Sequence, residues 1–271
     1  VELIVSDLDR SVDFYERVIG LTPGRRDESG AALGTAHEEL VVLTGVPGAR
    51  RAGRHAGLYH FALLHPSRKE LSRALVRLAV TRTPIDGASD HAVSEAIYLP
   101  DPDGNGIELY RDRPRGEWPY LEGGQVALVT EPLDLEALLA EAAGEDPQET
   151  ASDGLRVGHV HLHVGEIDPA LAFYRDLVGL ELMAQMPGAA FVANDGYHHH
   201  LGLNTWRGRG VPGPPPGTVG LRRWTLVLPD AARLEEAAGR LEAAGVGERD
   251  GDGIVARDPW EAELRLVAAG A

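Results

Sequence analysis

Histidine and glutamate side chains inside apolar strands need a partner, because an unpaired polar or charged group is costly away from water. Two residues meet this description: His60 in GLYHFALLHP and Glu108 in GNGIELY. A third group lies in VGHVHLHV, where alternation puts His159, His161 and His163 on one face of a strand. Tyr197 precedes a run of three histidines, His198, His199 and His200. Imidazole titrates near neutrality, which suits such a run to acid–base work. His91 and Tyr98 fall in SDHAVSEAIYLPDPDGNGIE, seventeen and ten residues before Glu108. Plain structural alternatives are a His60–Glu108 hydrogen bond, a surface stripe of histidines, a loop His91 and a core Tyr98. His37, His55, His65 and His159 have no comparable placement and are assigned no role.

The 271 residues carry 42 acidic and 26 basic side chains, a formal charge of −16. That sign argues against nucleic acid as a partner, which calls for a cationic face. The absence of cysteine excludes disulfides, thiolate catalysis and cysteinyl metal sites. No apolar run approaches the roughly 20 residues of a membrane span. Val1 to Asp9 read as strand and turn, not as a signal peptide. A soluble, cytoplasmic protein is expected, without a membrane partner and with homo-oligomerisation left open.

What must position these side chains is a repeat. Shifted by 159 residues, VELIVSDLDRSVDFYERVIGL overlies VHLHVGEIDPALAFYRDLVGL with eight identities, Phe14/Phe173, Tyr15/Tyr174 and Gly20/Gly179 among them. Each copy reads as an alternating strand, then a helix opened by an Asp cap, with Pro169 at the first helical position of the second copy. GLYHFALLHP and GLRRWTLVLP form a weaker pair, each followed by a helix and later by a strand introduced by Asp-Pro. Four units of one strand, one helix and about three more strands result, at 1–50, 55–112, 157–206 and 220–268. Residues 113–156 are a connector with a helix predicted from Leu133 to Ala143.

FYxxVxGL-type helices and the DPDGNGIELY strand resemble the vicinal oxygen chelate superfamily of glyoxalases, bleomycin resistance proteins and extradiol dioxygenases. The two-domain catechol 2,3-dioxygenase type is the nearest resemblance. It implies an α+β fold in which four βαβββ units form two open, barrel-like curved mixed sheets with helices outside. In metal-binding members, the first and last strands of a unit each offer one ligand position. Here those positions are read as His60, Glu108 and His161, two His and one Glu of the kind that hold Fe(II), with Mn(II) or another divalent metal as the alternative. The resemblance further implies acid–base work for His199, hydrogen bonds from His91 and Tyr98 to the substrate, and Tyr197 and His200 lining the pocket. The implied reaction is ring cleavage of a catechol-like diol by dioxygen. A glyoxalase-like lyase or isomerase and a metal-free binding or resistance protein are the alternatives.

Charge favours one pairing of the units over the chain-order one, in which units one and two would offer Glu2, His60 and Glu108 to a metal. Arg223 and Arg265 hold the ligand positions of unit four, and guanidinium cannot ligate a cation. Pairing 55–112 with 157–206 yields a metal site, whereas pairing 1–50 with 220–271 sets Glu2 against Arg223 and Arg265 in a metal-free counterpart.

Overall fold

A computed structural model describes residues 1–122 and 124–270; Gly123 in the connector and Ala271 at the end of unit four lie outside the described residues. Unit one comprises β1 (Glu2–Val5), α1 (Leu8–Phe14) running into a π-helical turn (Tyr15–Ile19), β2 (Thr22–Arg26), β3 (Gly30–Gly34) and β4 (Glu39–Gly45). Unit two comprises β5 (Gly57–Leu64), α2 (Arg68–Val80), β6 (Gly87–Asp90), β7 (Ser94–Pro100) and β8 (Gly106–Asp112). The connector holds β9 (Glu131–Pro132) and α3 (Leu135–Ala140), a shorter helix than predicted. Unit three comprises β10 (Arg156–His163), α4 (Ile167–Leu171) with its own π-helical turn (Ala172–Val178), β11 (Glu181–Met186), β12 (Ala189–Ala193) and β13 (Leu201–Asn204). Unit four comprises β14 (Gly220–Leu228), α5 (Ala231–Ala243), β15 (Gly247–Asp250), β16 (Gly253–Arg257) and β17 (Glu263–Ala268).

These strands make two mixed sheets, as the α+β reading anticipates. One runs β15-β16-β17-β14-β1-β4-β3-β2, the other β11-β12-β13-β10-β5-β8-β7-β6-β9. Strands of units one and four therefore share a sheet, joined antiparallel at β1–β14. Strands of units two and three share the other, joined antiparallel at β5–β10. The connector is not outside it, since β9 extends its edge by pairing with β6.

The helices tie the sheets together in chain order. Tyr15 of unit one donates its hydroxyl to Asp101 of unit two at 3.1 Å, and Tyr174 of unit three does the same to Asp258 of unit four at 2.9 Å. Both aspartates also accept backbone N–H groups, Asp101 from Asp103 and Asn105, Asp258 from Trp260 and Ala262. The Asp-Pro turn is thus a buried socket for the tyrosine of the preceding unit. Each π-helical turn ends at a glycine in the left-handed region, and carbonyls at the helix end accept from an arginine of the next unit: Ile19 from Arg77, Leu177 and Val178 from Arg240. A Cβ on Gly20 would lie 2.8 Å from the Arg77 Nε.

Two local predictions are corrected. The helices start two residues earlier than the Asp-Pro alignment suggests, with Asp7 and Glu166 as caps, so Pro169 is the third helical residue. It is tolerated because the first turn's N–H groups lack intrahelical acceptors anyway. In the sheet of units one and four, Glu2 lies 3.9 Å from Arg223, but Arg265 is not its partner. Arg265 sits abreast of Thr225, two residues beyond the Arg223–Glu263 pair, and reaches Asp250 and Asp252 instead. Glu263 takes Arg223 and Arg257.

Candidate functional site

Strands β5 and β10 cross antiparallel with Phe61 opposite Val160, both in the core. His60 and His159 each precede that pair, so a local twofold through it exchanges them. Their imidazoles converge on Glu108 from β8, which runs parallel to β5 with Glu108 abreast of Ala62. The result is a group of three whose donor atoms all lie within 4.8 Å of one another: His60, Glu108 and His159. Glu108 Oε2 stands 2.9 Å from His60 Nε2 and 3.1 Å from His159 Nε2.

This differs from the sequence prediction, which named His161 as the third member. His161 pairs directly across from His60 and is buried in the same cavity wall, but it is not in that close group. Its ring packs among those of His60, Tyr59, Trp206 and Phe191. The twofold equates His161 with Ala62, and so equates Glu108 with Gly202, abreast of His161 on β13. A Cβ at Gly202 would sit 2.7 Å from the His161 ring, so glycine is what lets that ring lie against the strand. His163 bonds Asn204 at 2.7 Å.

The environment of Glu108 tells what the group can hold. Glu95 and Glu263, the other buried glutamates among the described residues, are met by guanidiniums: Glu95 by Arg68, Arg111 and Arg113, Glu263 by Arg223 and Arg257. Glu108 instead meets two imidazoles, those of His60 and His159. Burial alone would raise its pKa, but His159 and His60 outweigh that and hold it well below the usual carboxylate range. Burial lowers the pKa of His159, favouring its neutral, ligating form. His60 Nε2 is buried and makes no hydrogen bond despite its proximity to Glu108. An ionised carboxylate, two imidazoles and an unpaired ring nitrogen converging without a counter-cation fit a divalent metal.

The surrounding residues form two linked sets. Tyr98 faces Glu108 across the β7–β8 ladder, which is the structural meaning of their ten-residue spacing. Its hydroxyl lies 2.7 Å from His91 Nε2, and His91 Nδ1 lies 2.6 Å from the Val129 carbonyl. The carbonyl can only accept, so Nδ1 carries the proton and Nε2 accepts from Tyr98. Burial, then the Glu108 charge, pushes the Tyr98 pKa well above 10. Opposite them, His199 lines the cavity with its ring 4.1 Å from that of His159. His199 Nδ1 meets His198 Nδ1 at 2.8 Å, and His198 Nε2 meets Asp112 Oδ1 at 2.8 Å.

Tyr197 and His200, predicted to line the pocket, are placed elsewhere. Tyr197 donates to Asp112 at 3.0 Å and shares a 2.8 Å contact with the Tyr110 hydroxyl, while His200 stacks on Tyr197 and accepts from the Asn194 N–H. In the tight turn after β12, Asp195 and Gly196 have positive φ, and Tyr197 is directed into the Trp118 cluster, not the cavity. Asp112 was not anticipated at all. No local motif marks it; it becomes visible only as the end of β8 brought beside the histidine run.

The sequence matches the family model described as Glyoxalase/Bleomycin resistance protein/Dioxygenase superfamily over residues 1–109 and 156–259. The chain belongs to this superfamily. It is 43% identical over 249 residues to catechol-2,3-dioxygenase of Bacillus subtilis (strain 168), covering 90% of this chain and 87% of that protein. It is 27% identical over 94 residues to biphenyl-2,3-diol 1,2-dioxygenase 3 of Rhodococcus globerulus, covering 35% of this chain and 50% of the relative. Glyoxalase I from Zea mays shares the fold, with a TM-score of 0.57 at 18% identity, over 98% of this chain and 90% of the maize chain. Four strand-helix-strand units make up the two sheets, and among the described residues the His–Glu–His group lies in the sheet of units two and three. No helix among the described residues is long and apolar enough to cross a membrane.

Proposed function

We propose that the chain is an Fe(II)-dependent extradiol dioxygenase that opens a catechol-like ring beside its diol, with His60, Glu108 and His159 as the metal ligands. The observation that carries this reading is Glu108, a buried carboxylate faced by two imidazoles and by no guanidinium. Two imidazoles and one carboxylate are the donor set of non-haem Fe(II) oxygenases, which leaves positions open for substrate and oxygen. The identity to a catechol-2,3-dioxygenase supports the same chemistry. A glyoxalase-like lyase would call for a second carboxylate, and the position equivalent to Glu108 is Gly202.

Bound iron would supply Lewis acidity toward the diol and a route for electrons from the ring to dioxygen. The chain's residues handle protons and orientation. His91, held at Nδ1–H by the Val129 carbonyl, takes up a diol proton at Nε2 through Tyr98, whose hydroxyl remains protonated because its own pKa is raised. On the other side, Asp112 accepts from His198 Nε2–H, so the bare His198 Nδ1 accepts from His199 Nδ1–H. His199 Nε2 is then an unprotonated base inside the cavity. Burial keeps His199 neutral by lowering its pKa well below the ordinary value. Overall, the ring bond between a hydroxylated carbon and its unsubstituted neighbour breaks, and both oxygen atoms of dioxygen enter the product.

Anaerobic reconstitution with Fe(II), followed by catechol and air, tests this. A yellow ring-opened product is expected, and a metal-loaded protein inert toward every diol offered would refute the reading.

A further inference from the structure

The cavity beside the His–Glu–His group measures about 340 Å³, and its lining contains no arginine or lysine. Its outer wall is apolar, formed by Leu128, Val129, Met186, Phe191 and Trp206, with Tyr59 at the edge. This wall continues into solvent. Of the ten large hydrophobic side chains exposed among the described residues, four lie here: Tyr59 at 39%, Val129 at 38%, Met186 at 40% and Trp206 at 55%. Trp206 meets Tyr59 edge-on at 5.3 Å, so two of the four form one aromatic ridge.

Arg207, next in sequence to Trp206, donates to the His55 carbonyl at 3.2 Å and is absent from the lining. A carboxylate on the ring would therefore be desolvated without a counter-charge, beside Glu108 and inside a chain of net charge −16. An alkyl or aryl group would instead bury against the wall and cover the exposed ridge.

From this we infer that the substrate is an uncharged catechol bearing an apolar ring substituent, with Met186, Phe191 and Trp206 selecting for that substituent. The inference rests on the proposed diol chemistry. Each buried methylene tightens binding by roughly four-fold.

Equilibrium binding to the anaerobic Fe(II)-loaded protein separates the two claims, because it is read without ring cleavage. 4-Propylcatechol is expected to bind at least about ten-fold tighter than catechol, by the same per-methylene increment, and 3,4-dihydroxybenzoate more weakly than catechol. Trp206→Ala should shrink the propyl preference several-fold, while Met186→Arg should shift the ratio toward 3,4-dihydroxybenzoate. Both sites are exposed, so both variants can be checked for folding by their unchanged iron content. Equal or tighter binding of the carboxylate would overturn the inference and leave the dioxygenase reading standing. Propyl preference without cleavage of any diol would support the selectivity of this wall and refute that reading. A flat alkyl series, with the ridge buried in a dimer, would assign the ridge to a second copy and overturn the inference.

Discussion

His159 is the twofold counterpart of His60: each directly precedes the Phe61–Val160 pair where β5 and β10 cross, and each places its Nε2 within 3.1 Å of the same Glu108 oxygen. His161, two residues on, is the counterpart of Ala62. The two histidines of one strand therefore have different parts in the site.

His159→Ala should abolish tight Fe(II) retention, a larger loss than the roughly 10–100-fold that outer-sphere changes cause. His161→Ala should stay within that range. Metal content after dialysis, compared side by side, checks this, and the reverse ranking would return the ligand role to His161.

This distinction was only partly legible in the sequence. The repeat gave four units, and the charges of Arg223 and Arg265 marked unit four as unable to hold a metal. His60, Glu108 and the Tyr98 spacing were readable because each stands alone in its strand. His159 was not, because the shift of 159 residues that overlays units one and three places it one residue ahead of Val1. Overlaying unit two instead, with HFALLHP on HVHLHVG, would have set His60 on His159. Asp112 and the displacement of Tyr197 depend on contacts across more than 80 residues, which no local pattern encodes, and His200 follows Tyr197 by stacking on its ring.

Asp112→Asn removes the anion that fixes the proton on His198 Nε2, and with it the orientation of His199. Iron content should be unchanged. The single-turnover rate of ring opening should fall by about 10²-fold, the lower end for general acid–base catalysis. A normal rate would mean that His199 works without this chain.

Tyr98→Phe leaves His91 Nε2 without its donor and removes the hydroxyl facing the cavity. Losing such a buried partner costs about 1–3 kcal/mol, so KM for catechol should rise roughly ten-fold or more by the affinity arithmetic. Steady-state kinetics at saturating oxygen provide the check, and an unchanged KM would place Tyr98 in the core only.

Stability should fall in mild acid. His65 is buried with neither ring nitrogen hydrogen-bonded, and burial, reinforced by the Arg77 charge, lowers its pKa to about 3. Between that value and the ordinary one near 6.5, the unfolded chain binds a proton that the folded chain does not. Its contribution is thus complete above about pH 6.5 and is lost as pH drops toward 3, by about 1.4 kcal/mol per pH unit for one proton. Denaturant midpoints measured from pH 7.5 to 4.5 should show this slope, and His65→Leu should lessen it. An unchanged slope in the variant would locate the acid sensitivity elsewhere.

The central claim is that this cavity inserts dioxygen into a ring beside a diol, and isotope labelling reads that insertion directly. Fe(II)-loaded protein given an uncharged catechol under ¹⁸O-labelled dioxygen should yield a ring-opened product carrying both labelled atoms, one in the new carboxylate and one in the new carbonyl when exchange with water is prevented. A product with one labelled atom or none, or an unopened ring, would contradict the account.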